Sequence, residues 1–409
     1  MFLDRLLNAI VIEGDLTVVH PDGRCRRYGR GSIPGVARSV IRITRTATAW
    51  RLAFDPSLCF GEAYMNGGLV VEEGDIYDFL ALSIFNVARA RRSGALGWSD
   101  HIGRLARRLV MHNPVARARR NAIHHYDLPS PFYRLFLDDD RQYSCAYFET
   151  PGLSLEQAQQ AKKRHIAAKL LLRPGQHVLD IGCGWGGLAL SLAQWADVRV
   201  TGITLSEEQL KVARLRSQAE RCRQVSFQQC DYRHIDGKFD RIVSVGMFEH
   251  VGIGHYRAFF ERLRDLLTDD GVALVHSIGR SDGPGVTNAW IRKYIFPGGY
   301  SPALSEVLSA VERSGLVVTD VEILRLHYAE TLREWRRRFL ARRDAAARQY
   351  GEPFCRMWEF YLAGSEASFR YDGMMVFQMQ LARSVDTVPT CRDYVSAWKR
   401  RAVHWEPGE

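Results

Sequence analysis

Three groups of residues in this chain have the types and spacing to do chemistry. The first is Asp180-Ile181-Gly182-Cys183-Gly184-Trp185-Gly186-Gly187, lying between the stretches HVLDI and GLALSLAQWA. A strand that ends in an acid and runs into glycines lets backbone approach a ligand closely and lets the next helix start beneath it. A bare GxGxG turn serves a dinucleotide equally well, but no third glycine follows at dinucleotide spacing. The second group is Thr204-Leu205-Ser206-Glu207-Glu208-Gln209, about 20 residues on, where most nucleotide folds place a carboxylate on the ribose hydroxyls. Here that carboxylate is missing. Ser206 reads as the N-cap of a helix with Glu208 and Gln209 in its first turn, which leaves Thr204 and Gln209 able to bond a cofactor as well. The third group is Glu249-His250 after RIVSVGMF, with His276 after VALV. Both close strands on the edge where parallel sheets hold ligands. Read alone, His276 is equally a satisfied core histidine.

A metal centre is not among the expectations. His124-His125, Glu249-His250 and His255 lack a ligand spacing. The eight cysteines, Cys25, Cys59, Cys145, Cys183, Cys222, Cys230, Cys355 and Cys391, are scattered without a CxxC and read as reduced thiols.

The elements that must position these residues begin near Leu155. The polar helix LEQAQQAKKRHIAAKLLL, rich in Gln, Lys and Ala, leads into HVLDIG, after which strands RVTGITL, QVSFQQ, RIVSVGMF and VALVHSIG alternate with helices. Such alternation implies a parallel sheet with right-handed crossovers. VVTDVEIL and MMVFQMQLAR read as a final strand pair separated by a long helical insertion rich in Arg and Trp. Upstream, DLTVVH, SVIRITRT and WRLAFD read as short strands joined by turns such as PDG and NGG, closing on the helix IYDFLALSIFNVARA. The expected division is a small N-terminal α+β domain over 1–90, a basic linker or helix over 91–120 and a catalytic domain over 121–400.

Of the 409 residues, 46% are hydrophobic and 25% charged, enough core for an enzyme. No apolar stretch approaches the roughly 20 residues that cross a bilayer, and MFLDRLLNAIVIEGD does not read as a signal peptide. The expected location is cytoplasmic, with contact to membranes from outside. A net charge of +10 favours an anionic partner, either nucleic acid or anionic lipid. The helix TLREWRRRFLARRDAAARQY, with arginines around Trp335 and Phe339, suits an anionic membrane surface or a solvated face.

The glycine turn resembles the first motif of Rossmann-like S-adenosylmethionine methyltransferases, where the acid orients the turn. The resemblance then narrows. HHYDLPSPFYRLFLDDDRQYSCAYF, DIGCGWGGLA, TGITLSEEQ, VGMFEHVG, HSIG, KYIFPGGY, HYAETLREW, RMWEFYL and VFQMQLAR occur in order from about Asn121 to the end. Together they resemble the cyclopropane fatty acyl phospholipid synthases, a family that includes the mycolic acid cyclopropane synthases. FGEAYMNGGLVVEEGDIYDFL resembles the extra N-terminal domain of the phospholipid-acting bacterial members. The resemblance implies an α/β fold, a Rossmann-like class I methyltransferase sheet with helical insertions, behind the small N-terminal α+β domain. It implies that Tyr143, Ser144, Asp180, Gly182, Cys183, Gly184, Thr204, Leu205, Ser206 and Gln209 contact S-adenosylmethionine. Tyr232 and Arg233 stand where the family has a Trp and an acid beside the adenine, with Asp231 as the substitute acid.

An isolated alkene is a weak nucleophile and must be held in line with the sulfonium methyl in a dry pocket. Attack leaves a carbocation that loses a proton from the new methyl as the ring closes, and the base must not capture the cation. The family resemblance implies a bound bicarbonate as that base, held by Cys145, Glu249, His276, the Ile278 backbone and Tyr328. Read alone, Cys145 is a small apolar core residue and Tyr328 a packing aromatic. The partner implied is unsaturated phospholipid in an anionic membrane, with a homodimer allowed and nucleic acid not expected. The alternatives are a methyl or methylidene branch formed from the same cation, a small-molecule N-methyltransferase, or a non-catalytic lipid-binding or nucleic-acid-binding homologue.

Overall fold

The computed structural model describes residues 2–93 and 130–402, so residues 94–120 of the expected basic linker and His124-His125 lie outside the described residues. The chain forms two compact units. The division does not follow chain order. Residues 285–297 and 329–374, inside the stretch expected as catalytic, pack with the N-terminal residues, while 130–284, 298–328 and 375–402 form the second unit.

The second unit is built on a seven-stranded sheet. Its strands are β5 (His177–Ile181), β6 (Arg199–Thr204), β7 (Val225–Gln229), β8 (Phe239–Val245), β9 (Leu267–Arg280), β10 (Val317–Ile323) and β11 (Met374–Ala382), in the order β10-β11-β9-β8-β5-β6-β7. β5 lies parallel to β6 and β8, β7 parallel to β6, and β9 parallel to β8, whereas β10 and β11 pair antiparallel. The parallel core follows from composition. Leu179, Ile242, Val243, Leu274 and Val275 are buried in near-continuous apolar runs, as strands covered on both faces require. The α/β class and the final strand pair read from the sequence are those observed.

Five helices pack in or beside this unit's core. In order along the chain they are α6 (Leu155–Lys169), α7 (Gly187–Ala196), α8 (Glu207–Ala219), α9 (Tyr256–Leu266) and α11 (Leu304–Val311); α10 (Ala289–Tyr294) belongs to the other unit. α9 buries Phe259, Phe260, Leu263 and Leu266 on one stripe. α6 begins at a capping box in which Ser154 accepts from the Gln157 N–H. Its polar composition suggests a solvated helix, yet Gln159, Lys162, Lys163, His165 and Lys169 are all buried.

The first unit carries the four-stranded sheet β2-β1-β3-β4, formed by β1 (Leu16–Val19), β2 (Cys25–Tyr28), β3 (Ser39–Ile43) and β4 (Leu69–Glu73). Its helices are α1 (Phe2–Ile10), α2 (Thr46–Phe54), α3 (Pro56–Met65), α4 (Ile76–Arg92), α10 (Ala289–Tyr294), α12 (His327–Ala341), α13 (Arg343–Tyr350) and α14 (Glu352–Tyr371), α12 beginning at the last two residues of the second unit. The short helix α5 (Ser130–Tyr133) and the terminal helix α15 (Asp393–Ala402) belong to the second unit.

One expected strand is a helix. WRLAFD lies largely in α2, where Ala49, Leu52 and Ala53 are buried at helical spacing. A strand would have turned Trp50, Leu52 and Phe54 to one face, but Leu52 is buried while Trp50 and Phe54 are exposed. Helix α12, expected to face an anionic membrane or solvent, has one side inside its own unit. Trp335 and Phe339 are fully buried, and Arg336 bonds Glu366 at 3.0 Å and lies over the Tyr77 ring. Arg337 is exposed and pairs with Glu334 at 2.9 Å.

Candidate functional site

The carboxyl ends of β5, β6 and β8 open onto one cavity. Its floor is the glycine turn. The N–H groups of Gly182 and Cys183 both donate to the Ile203 carbonyl, at 2.9 and 3.0 Å, and Gly186 N–H donates back to Cys183 at 2.9 Å, closing a tight turn from which α7 starts. Gly184 sits at φ +55°, and a Cβ built there would meet nothing within 4 Å, so its open face is toward the cavity. At Gly187 a Cβ would lie 2.4 Å from the Asp140 carboxylate, so only glycine admits that packing.

Asp180 is buried, and its carboxyl is pushed up to about 7 by loss of solvent, with Lys162 the one charge opposing the rise. Its Oδ2 has no hydrogen-bond partner among the described residues. A buried acceptor without a partner beside an open cavity is a place for a ligand donor. At the end of β6, Ser206 caps α8 by accepting from the Gln209 N–H, and Thr204 Oγ1 lies 3.0 Å from Gln209 Oε1. The cap and the cavity wall are therefore the same residues, with Leu205 beside them.

On the third side, Arg233 grips Asp231 through two hydrogen bonds of 2.8 and 2.6 Å and lies over the Tyr232 ring. Burial works against the Asp231 charge, but the Arg233 contacts outweigh it and hold the carboxyl below its ordinary value. Asp231 thus lines the cavity with its charge already matched by Arg233. Tyr232 stands edge-on to Phe259, a rigid aromatic wall.

The last wall is the segment Arg141–Ser144, which α6 pins from behind. Lys162 Nζ donates to Gln142 Oε1 at 2.7 Å and to Ser144 Oγ at 2.9 Å. Gln159 Nε2 donates to the carbonyls of Gln142 and Ser144, and Lys163 bonds Asp140 at 2.7 Å. Burial lowers the Lys162 ammonium to about 8 and raises neighbouring Asp138 to about 6. Tyr143 packs in an aromatic cluster with Tyr133 and Phe136, and Tyr133 in turn meets Trp185.

All the residues implied for cofactor binding, Tyr143, Ser144, Asp180, Gly182, Cys183, Gly184, Thr204, Leu205, Ser206, Gln209, Asp231, Tyr232 and Arg233, line this one cavity. Trp185, Gly246, Met247 and His250 line it as well and were not singled out as cofactor contacts. Trp185 lies inside the glycine motif, and the other three follow the carboxyl end of β8, a signal the sequence does carry. Lys162 left no signal, because its helix reads as polar throughout.

The residues implied for catalysis lie outside that lining. Glu249 follows β8 in a short 3-10 turn (Phe248–His250), and His276 stands on β9 opposite Val245. Ile278 N–H donates to Glu249 Oε1 at 2.7 Å, while Glu249 Oε2 is buried with no partner among the described residues. Burial pushes the Glu249 carboxyl up to about 7, against the Ile278 N–H. His276 is pushed down to about 3, chiefly by burial, and is neutral at physiological pH. The Gln378 amide faces its Nδ1 at 3.2 Å. Cys145 and Tyr328 are buried. Their segments meet: Phe148 N–H donates to His327 Nδ1 at 3.1 Å, and Tyr147 stacks on His327. Of these five residues, Glu249 and Ile278 are joined by a direct hydrogen bond, His276 lies two residues before Ile278 on β9, and Cys145 and Tyr328 lie on a loop and on α12.

Comparison with known proteins adds to this geometry. A family model described as mycolic acid cyclopropane synthetase matches residues 114–379. The cyclopropane-fatty-acyl-phospholipid synthase of Escherichia coli K12 is 37% identical over 359 residues, which span 87% of this chain and 91% of that protein. A probable fatty acid methyltransferase of Pseudomonas putida is 44% identical over 255 residues, 60% of this chain and 64% of that protein's length. Among solved structures, the mycolic acid cyclopropane synthase CmaA1 complexed with SAH and CTAB matches with a TM-score of 0.62 at 35% identity, covering 66% of this chain and 99% of that one.

Proposed function

The chain belongs to the mycolic acid cyclopropane synthetase family, and on that premise we propose that it forms a cyclopropane ring on the cis double bond of an unsaturated acyl chain in membrane phospholipid. The enzyme is an S-adenosylmethionine-dependent lipid methyltransferase of the cyclopropane synthase type. The phospholipid substrate is favoured by the match to the Escherichia coli phospholipid synthase, which spans nine-tenths of that protein's length.

The observation that carries the reading is Glu249. A carboxyl held near 7 by burial, with one oxygen fixed by a backbone N–H and the other unpartnered, is a donor for an anion when protonated. Bicarbonate fits that donor set, with the ring N–H of neutral His276 as a second donor from the adjacent strand end and Cys145 and Tyr328 completing the proposed holder. When bound, bicarbonate supplies a base for the proton released on ring closure. The chain's own residues do the rest. Burial disfavours the charged form of both Glu249 and His276. The glycine turn, Thr204, Gln209 and the Arg141–Ser144 wall orient the methyl donor.

The test is expression in a host without such an enzyme, with the wild type and Glu249→Gln compared. Fatty acids heavier by one CH2, with the high-field proton resonances of a cyclopropane ring, are expected from the wild type alone. The same mass with alkene rather than ring protons replaces this reading with a methylidene branch. That second reading draws on the similarity to the Pseudomonas fatty acid methyltransferase. Docking is proposed to be peripheral, at the cytoplasmic membrane face. No helix among the described residues is long and apolar enough to cross a membrane.

A further inference from the structure

Helix α2 buries Ala49, Leu52 and Ala53 and leaves Trp50 and Phe54, one turn apart, on its outer face. Trp50 is 51% exposed and Phe54 74%. Phe2, at the start of α1, is 52% exposed and stacks on Phe54 with centroids 5.9 Å apart, and Trp50 stacks on Phe54 at 6.2 Å. Single exposed apolar side chains are ordinary, but three contiguous stacked rings in water are not. Cationic side chains lie close to the rings, while the Asp55 carboxylate that follows Phe54 is engaged in capping α3. Arg5 lies one helical turn from Phe2, and Arg45 precedes the first turn of α2; both are exposed and have no acidic partner among the described residues. Arg51, on the turn between Trp50 and Phe54, is bound to Glu62.

Aromatic rings beside unpaired cations match one surface chemistry: an anionic bilayer, where rings enter the acyl boundary and guanidinium groups stay among the phosphates. We propose that Phe2, Trp50 and Phe54 form the membrane-inserting patch of this enzyme, flanked by Arg5 and Arg45. The inference rests on the reading of the substrate as membrane phospholipid, and it moves docking away from Arg336, which is engaged inside its own unit. The patch meets the bilayer through ring insertion first and charge second. Neutral bilayers therefore retain part of the binding and anionic ones all of it.

The experiment uses the full chain and sedimentation with vesicles of unsaturated phosphatidylglycerol and phosphatidylethanolamine, or of phosphatidylcholine. The double variant Trp50→Glu/Phe54→Glu should lose at least tenfold in affinity for the anionic vesicles and a similar factor in turnover on them. Its turnover on detergent-dispersed lipid and its calorimetric affinity for S-adenosylhomocysteine should equal those of the wild type, which shows that it is folded. Arg5→Glu/Arg45→Glu should weaken binding to anionic vesicles only. Unchanged vesicle binding by the aromatic variant overturns the proposal, as does a wild-type dimer that dissociates in the variant while vesicle binding persists. Failure of the wild type to modify lipid in either form would instead strike the substrate reading, so the two failures are separable.

Discussion

Replacing Glu249 with Gln should make the protein more stable at alkaline pH and much less active. Gln keeps an acceptor for the Ile278 N–H and never ionises, whereas the buried carboxyl must lose its proton above about 7. Its folded pKa is raised, so folding favours the neutral form. Below 4.5 both folded and unfolded chains hold the proton and the wild type carries no penalty. Between 4.5 and about 7 the unfolded chain releases it while the folded chain keeps it, and stability falls as pH rises. Above that window the penalty is complete. At about 1.4 kcal/mol per pH unit, the interval corresponds to about 3 kcal/mol. The assay is urea unfolding of both proteins at intervals between about pH 4 and about pH 9, with the difference in unfolding free energy plotted against pH. That difference should grow in favour of Glu249→Gln by about 3 kcal/mol, while turnover on lipid drops about a hundredfold or more, equivalent to about 2.7 kcal/mol of barrier. A difference constant across the range would mean that Glu249 is not held neutral, and full turnover in the variant would remove it from the reaction.

Other substitutions probe the cofactor cavity and the packing around it. Gly184→Val should abolish S-adenosylhomocysteine binding by calorimetry in a protein that still unfolds cooperatively, because the side chain enters open cavity space at a left-handed φ; unchanged affinity would refute the placement. Stripping bicarbonate from the buffer should lower turnover and restoring it should recover the rate; full activity without it would exclude that base. Lys162→Met removes two charge-assisted hydrogen bonds to the Gln142–Ser144 wall, each worth about 1.5–3 kcal/mol, and should weaken cofactor binding at least tenfold, with Lys162→Arg recovering part of it. Arg336→Glu should lower the thermal midpoint, since it breaks the pairing with buried Glu366, and should leave vesicle affinity unchanged; the reverse pattern would return docking to that helix.

Much of the site was written locally. The glycine turn, the Ser206 cap and the ends of β8 and β9 each depend on a few consecutive residues, and period and turn chemistry specify such features without help from distant chain. The cofactor residues that the family resemblance implied all line one cavity. The helix assignment of WRLAF was not legible because its alternation fits a strand and its helical spacing fits equally, and only burial against α1 and the first-unit core decides between them.

Tertiary structure alone decided the rest. α6 has the composition of a solvated helix, and nothing within it announces that Lys163 meets Asp140 or that Lys169 reaches Glu322, 153 positions away. A buried charge is tolerable only where a partner waits, and the partners come from other elements. The same holds for residues 329–374, whose Ala363 and Ala367 complete an apolar core otherwise made by the first 93 residues. Local pattern determined which segments become strands, turns and caps. Which polar groups are buried, which arginines are engaged and which aromatic rings remain in water depends on contacts between residues far apart in the chain, and such contacts exist only once the fold has closed.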